Sequence, residues 1–251
     1  MGTVLIGTSG WSYGSWKGDF YPTGLPSRRF LEFYAERFGT TEVNSTFYRV
    51  PLTSTFETWS AQVPENFVFT LKATRLITHV GRLADIDEAW AMLVRHAAVL
   101  GRHLGPILLQ FPPSFRCDPP ALARFLRHAR RPAPRGARLR LALEFRHASW
   151  FNEDIYALLR RWGAALCIAD SPQYPRHDVV TADFVYIRFH GRTKLFASNY
   201  SNPELADEAV GIRRYLRHGL DVYAYFNNDA QGHAVRNAAT LRRMVQRPEG
   251  R

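Results

Sequence analysis

Eight short apolar, β-rich runs, separated in most cases by helix-patterned sequence, constrain this chain of 251 residues more than any other feature. They cover residues 3–8, 40–44, 67–72, 106–110, 139–145, 164–169, 184–190 and 221–227. Helical patterns occupy 27–38, 53–62, 86–103, 119–130, 152–162, 203–218 and 234–245. Within 86–103, Trp90, Leu93, Val94, Ala97 and Leu100 fall on one stripe, as in an outer helix packed on strands. Ser27 and Asn152 stand where N-caps belong. Eight strand units in a length typical of one barrel predict a single (β/α)8 TIM barrel over 1–251. An open doubly wound sheet also alternates strand and helix, but no GxGxxG follows the first run. The segment SPQYPRHDVVTA, between the sixth and seventh runs, holds two prolines and is too short for a full crossover helix, so a degenerate connection is predicted there. PAPRG at 132–136 reads as a helix-to-strand turn.

In such a barrel the strand C-termini and the loops after them build the site. Polar residues at those positions are Ser9 and Trp11, Glu42 and Asn44, Lys72, Gln110, Glu144 and Arg146, Asp170, Arg188 and His190, then Asn227 and Asp229. Side chains alternate across a strand, so Glu42 with Asn44, Glu144 with Arg146, Arg188 with His190, and Asn227 with Asp229 each share a face. Their neighbours Val43, Leu143, Phe145, Ile187, Phe189 and Phe226 are apolar and belong outside, which turns the polar set toward the barrel axis. The bland alternative is a polar layer whose charges neutralise one another, Glu144 with Arg146 or Arg188 and Glu42 with Lys72.

Two chemistries fit these residue types. Lys72, Arg75, Arg146, Arg188 and Arg192 can clamp phosphate or carboxylate, leaving Asp170 or Glu144 as general base. Alternatively, Glu144, Asp170 and His190, with Glu42 or Asp229, are ordinary ligands for a divalent metal, though no HExxH, HxH or DxD motif supports that cofactor. A helix opening near Gly232 and His233 would add backbone N–H donors for an anion. In the first loop Trp11, Tyr13, Trp16, Phe20 and Tyr21 are able either to stack on sugars or unpaired bases, or to pack on one another. His79, His103, His128 and His218 read as surface residues, and no nucleophile elbow accompanies Ser9, Ser12 or Ser45.

The formal net charge of +11 rests on arginine, since Lys17, Lys72 and Lys194 are the only lysines. Arginine suits bidentate capture of anions, so a small anionic ligand or nucleic acid is the expected partner, while codon bias would explain the same excess without a site. Cys117 and Cys167 form no CxxC pair, which predicts neither a disulfide framework nor a thiolate zinc site and fits a reducing cytoplasm. The N-terminal TVLIGTSGW lacks a basic leader, and no window offers the roughly 20 apolar residues of a membrane span, so neither export nor insertion is expected.

Several long motifs in order, GTSGWSYGSWKGDFYP at 7–22, EVNSTFYRVP at 42–51, FTLKATRLITH at 69–79, LLQFPPSF at 108–115, ALEFRHASW at 142–150, ADSP at 169–172, YIRFHGR at 186–192, and YAYFNND with GHAVRNA at 223–238, resemble the domain of unknown function 72 family, also called YecE-like. The resemblance spans nearly the whole chain. It implies a TIM barrel, similar in architecture to sugar isomerases and endonuclease IV, and no established reaction. The motif residues it places at strand ends are Trp11, Glu42, Asn44, Lys72, Gln110, Glu144, Arg146, Asp170, Arg188, His190, Asn227, Asn228 and Asp229. Arginine and lysine among them speak against a multi-metal centre. The expected catalytic groups are Glu144, Asp170, His190 and Lys72, with Lys72, Arg146 and Arg188 as anion holders and Trp11 as a stacking floor. A binding protein for a phosphorylated, carboxylated or sugar-like compound, or an enzyme acting on one as a hydrolase or isomerase, is the expectation; a nucleic-acid-binding protein with endonuclease-like phosphodiester chemistry is the alternative.

Overall fold

The computed structural model describes residues 1–130 and 139–247, so the PAPRG turn at 132–136 lies outside the described residues. Strands β1 (Val4–Ser9), β2 (Thr40–Val43), β3 (Val68–Lys72), β4 (Leu104–Gln110), β5 (Leu141–Glu144), β6 (Ala165–Asp170), β7 (Phe184–Phe189) and β8 (Asp221–Phe226) form a closed parallel barrel in chain order. Closure is made by β1 on β8, in register from Val4 opposite Val222 to Thr8 opposite Phe226.

Helices cover the outside: α1 (Phe30–Ala35), α2 (Ser45–Tyr48), α3 (Thr53–Ala61), α4 (Asp87–Ala97), α5 (Pro119–Ala129), α6 (Glu153–Trp162), α7 (Asn202–Arg217) and α8 (His233–Gln246). Local chemistry sets several of their ends. Asn152 caps α6 by accepting from the Ile155 N–H, and Gly163 ends that helix in the left-handed conformation. Ser201 and Glu204 form a capping box on α7, and Asp118 caps α5. Ser27 does not serve as a cap: Pro26 takes the cap position of a 3-10 turn, Ser27–Arg29, that leads into α1. The predicted helix over 86–103 is broken, because Gly101 at φ 53°, ψ −119° leaves helical space inside a 3-10 segment, Ala98–His103, that follows α4. Its stripe of Trp90, Leu93, Val94, Ala97 and Leu100 is nevertheless buried as predicted. The short α2 went unpredicted, being only one turn long.

Between β6 and β7 the described chain forms no helix, in agreement with the prediction from its prolines. The connection is pinned instead by Thr181, whose hydroxyl donates to the Ala164 carbonyl and accepts from the Leu166 N–H. Among the described residues no helix is long and apolar enough to cross a membrane.

The barrel interior is filled by Leu108, Ala142, Ala165, Cys167, Phe184, Tyr186, Tyr223 and Tyr225, while two larger apolar clusters lie between strands and helices. Tyr225 hydrogen-bonds with Thr40 at 2.7 Å and Thr70 at 2.8 Å inside the barrel. Those contacts settle parity: Glu42 and Lys72, two residues on from Thr40 and Thr70, also face the axis.

Candidate functional site

At the C-terminal end of the axis, Arg188 is the hub. Its guanidinium, 1% exposed, donates from Nη2 to Glu42 Oε1 and from Nη1 to Glu144 Oε2, both at 2.6 Å, and both carboxylates are fully buried. Glu42 further accepts from the hydroxyls of Ser9 and Tyr186, each at 2.6 Å. Glu144 also accepts from Arg146 Nε at 2.8 Å. Burial pushes both carboxyls upward, but Arg188 reverses this, aided by Ser9 and Tyr186 at Glu42 and by Arg146 and His190 at Glu144; Glu42 is held below, and Glu144 well below, the ordinary carboxylate value. Burial disfavours the Arg188 cation, and the two carboxylates more than restore it. The part of the polar layer anticipated as Glu144 with Arg146 or Arg188 is therefore present, with both arginines engaged.

The anticipated Glu42–Lys72 pair is absent. Lys72 places its Nζ 4.2 Å over the Phe47 ring, contributed by α2, and among the described residues this ammonium has neither an ion pair nor a hydrogen bond. Burial, then the Arg188 charge, lower its pKa to about 7, against the pull of Glu144 and Glu42. His190, fully buried, receives the Asn227 side-chain amide at Nδ1 (3.2 Å) and directs Nε2 toward Glu144 Oε1 at 3.5 Å. Burial outweighs the pull of Glu144, so His190 is held below its ordinary value as a neutral imidazole at neutral pH. Gln110 sits beside Glu144 in the β4–β5 register and donates to the Phe111 carbonyl.

One rim of the mouth is cationic. Half-buried His79 feels the charges of Lys72, Arg146, Arg75 and Arg82, and burial followed by those four charges pushes its pKa down to about 4. Among the described residues, only Arg146 of the four has an ion pair. Arg146 also stacks on Tyr174, from the helix-free β6–β7 connection, at 4.3 Å.

Asp170 is not part of this site. Ala165 and Cys167 face the barrel interior, so Asp170, of opposite parity, points outward. There it accepts from Tyr200 at 2.7 Å and pairs with Arg176 (3.2 Å) and Arg192 (3.3 Å); both arginines also hold Glu208 of α7 at 2.7 Å. The proposed ligand set of Glu144, Asp170 and His190 is thus split between two faces of the sheet. Among the described residues no three His, Cys, Asp or Glu side chains converge as metal ligands. Arg192 likewise leaves the expected anion clamp for this outer cluster.

Trp11 is not a floor of the mouth. Gly10, at φ +93°, turns the chain outward after β1, and the indole packs edge-on against Trp59 at 5.1 Å beside an outer pocket of about 530 Å³ that Asn44 also lines. Trp16, Phe20 and Tyr21 pack on one another and on α1, with Tyr21 stacked on Phe30 at 4.0 Å. Asn228 faces away from Asn227, fully buried, and donates to the Ser198 carbonyl and to Asn237 of α8. Asp229 is half-buried and its carboxyl is raised by burial; its charge, with that of Glu42, reaches Tyr13 at the mouth. His103 is buried rather than exposed, its Nδ1 2.8 Å from the Phe67 carbonyl oxygen, and α8 does open at Gly232 and His233. Sequence reasoning missed Tyr186, Phe47 and His79. Tyr186 was within reach, since it shares the face of Arg188 and His190.

The family described as "Protein of unknown function DUF72" matches residues 5–251. UPF0759 protein YunF of Bacillus subtilis is 27% identical over 95% of this chain and 93% of its own length, and UPF0759 protein YecE of Escherichia coli K12 is 27% identical over 75% and 74%. A crystal structure of a DUF72 family protein from Thermotoga maritima superposes with a TM-score of 0.80 at 30% identity, covering 98% of this chain and all of that one. One from Enterococcus faecalis gives 0.83 at 23% identity, covering 99% and 97%, and shares the fold. With the closed barrel and these relatives in agreement, the chain belongs to the DUF72 family of TIM-barrel proteins.

Proposed function

We propose that the chain binds and transforms a small compound carrying a carboxylate or phosphate at the C-terminal mouth of the barrel, on the rim formed by the ends of β3 and β5. One observation carries the reading. Two buried carboxylates are already balanced by Arg188 and Arg146, so exposed Arg75 and Arg82, with whatever charge Lys72 carries, leave an excess of positive charge around half-buried His79. Cations gathered at one partly shielded rim attract an anion. Arg146 supports this, since its Nε is fixed by Glu144 while Tyr174 packs on its face, leaving a pre-oriented donor edge at the mouth. Arg188 is the positioning group beneath, too enclosed to meet a ligand itself. A nucleic-acid reading loses the base-stacking platform it needs, because Trp16, Phe20 and Tyr21 are committed to packing.

Calorimetric titration with inorganic phosphate, a dicarboxylate and a phosphorylated sugar tests the site. Replacing Arg146 by Ala removes a charge-assisted contact worth about 1.5–3 kcal/mol, so the affinity falls by about tenfold or more. Equal affinity in the variant sinks the reading, and so does tighter binding of an oligonucleotide with a steep salt dependence than of any small anion.

A further inference from the structure

We propose that Lys72 is a nucleophilic amine that forms an imine with a small aldehyde or ketone whose carboxylate or phosphate is held on the cationic rim. This rests on the anion-site reading for its substrate class, but the amine's placement is an independent observation. Lys72 ends β3 with its side chain on the axial face, the parity shared with Thr70. Each acid that would neutralise it is committed elsewhere: Glu42 to Ser9, Tyr186 and Arg188, and Glu144 to Arg146 and Arg188. What faces the amine instead is the Phe47 ring at 4.2 Å, with His79 on the rim beyond.

An ammonium so placed is desolvated beside the Arg188 and Arg146 cations, with only the two remote carboxylates favouring its charge. Its pKa falls to about 7, leaving much of it as free amine at neutral pH. In the reaction the nitrogen lone pair forms the C–N bond and the carbonyl π pair moves to oxygen, which takes the proton the nitrogen sheds. The carbinolamine oxygen then leaves as water with the second N–H proton, and C=N remains. Nothing is oxidised or reduced.

The sequence supplies internal controls, because the only other lysines, Lys17 and Lys194, are exposed. The full chain is incubated at pH 7 with glyoxylate, pyruvate or glycolaldehyde phosphate, then with borohydride, and its peptides are mapped by mass. The reduced adduct is expected on the Lys72 peptide, accumulating at least about tenfold faster than on Lys17 or Lys194, given that an ordinary lysine with pKa near 10.4 is almost wholly protonated at pH 7. Its rate rises with pH to a plateau, with a midpoint near 7. Lys72→Arg, checked by thermal melting to be folded, loses that adduct.

Equal labelling of the three lysines in the folded wild-type protein overturns the proposal. So does a Lys72 adduct whose rate lacks the near-neutral midpoint. If Lys72 fails to trap any carbonyl while inorganic phosphate still binds through Arg146, the amine chemistry falls and the anion site stands. If phosphate binding is absent but the uncharged probe glycolaldehyde still traps selectively at Lys72, the amine stands and the anion site falls. Should Lys72→Arg not fold, competitive labelling of the wild-type amines with acetic anhydride across pH reads the same midpoint without any variant.

Discussion

The protein contains two charge clusters of similar composition on opposite sides of its sheet. On the axis, Glu42, Glu144, Arg146 and Arg188 sit in a nearly dry interior, with Arg188 and both carboxylates at most 1% exposed. On the outside, Asp170, Arg176, Arg192 and Glu208 line a pocket of about 550 Å³ beside the helix-free β6–β7 connection, and their arginine side chains are 29% and 33% exposed. In the outer cluster each of the four charges has an opposite partner, and Tyr200 adds a hydroxyl. The inner cluster is balanced within itself, yet Lys72 stands beside it without a partner among the described residues. A pocket beside a helix-free connection can be lined by self-satisfied ion pairs in contact with water. A half-buried amine left beside a balanced network is a different device, because its desolvation stabilises nothing in the fold.

The contrast breaks most readily at Arg188. Replacing it with Met strands two buried carboxylates, at a cost of about 3–5 kcal/mol by urea unfolding at pH 7. Part of that loss returns on acidification. In the wild type both carboxyls are held below their ordinary value, so their stabilisation is present above pH 4.5 and is lost as pH falls through the folded values. In the variant they are raised instead, and protonation relieves them. A loss under about 1 kcal/mol would show that the inner cluster is as dispensable as a surface pair.

A smaller effect sharpens the claim about Lys72. Between pH 7 and 10.5 the unfolded chain keeps this proton and the folded chain has released it, so stability rises with pH across that window. Against Lys72→Met, the wild type should gain about 3.5 kcal/mol in unfolding free energy from pH 7 to pH 10. A flat difference would mean that the amine is solvated like any surface lysine. Smallest is the outer cluster. Arg176→Ala should cost about 1 kcal/mol at low salt, and less at high salt, because Arg192 still serves both Asp170 and Glu208. A cost equal to that at Arg188 would erase the distinction between the two regions.

Much of the inner site was legible in strand alternation. On β7 the series Tyr186, Arg188, His190 against Ile187, Phe189 marks the polar face without ambiguity, and Glu42 stands against Val43 in the same way. Asp170 was misplaced because β6 is apolar on both faces, ALCIA, so nothing in its pattern says which way the terminal carboxylate points. Trp11 was misplaced because it lies past the strand, where the positive φ of Gly10 redirects the chain. Phe47 was overlooked because one turn of helix carries too little periodicity to register.

The order of apolar runs and turn signals by itself determined the eightfold barrel, its missing crossover helix and most of the axial polar set. These are consequences of local propensity and a period of two, which every strand carries within itself. Only the tertiary structure decided which charges meet. Partner choice depends on barrel closure and on the register between strands distant in sequence, which brings Arg188 of β7 between Glu42 of β2 and Glu144 of β5 and leaves Lys72 of β3 facing an aromatic ring.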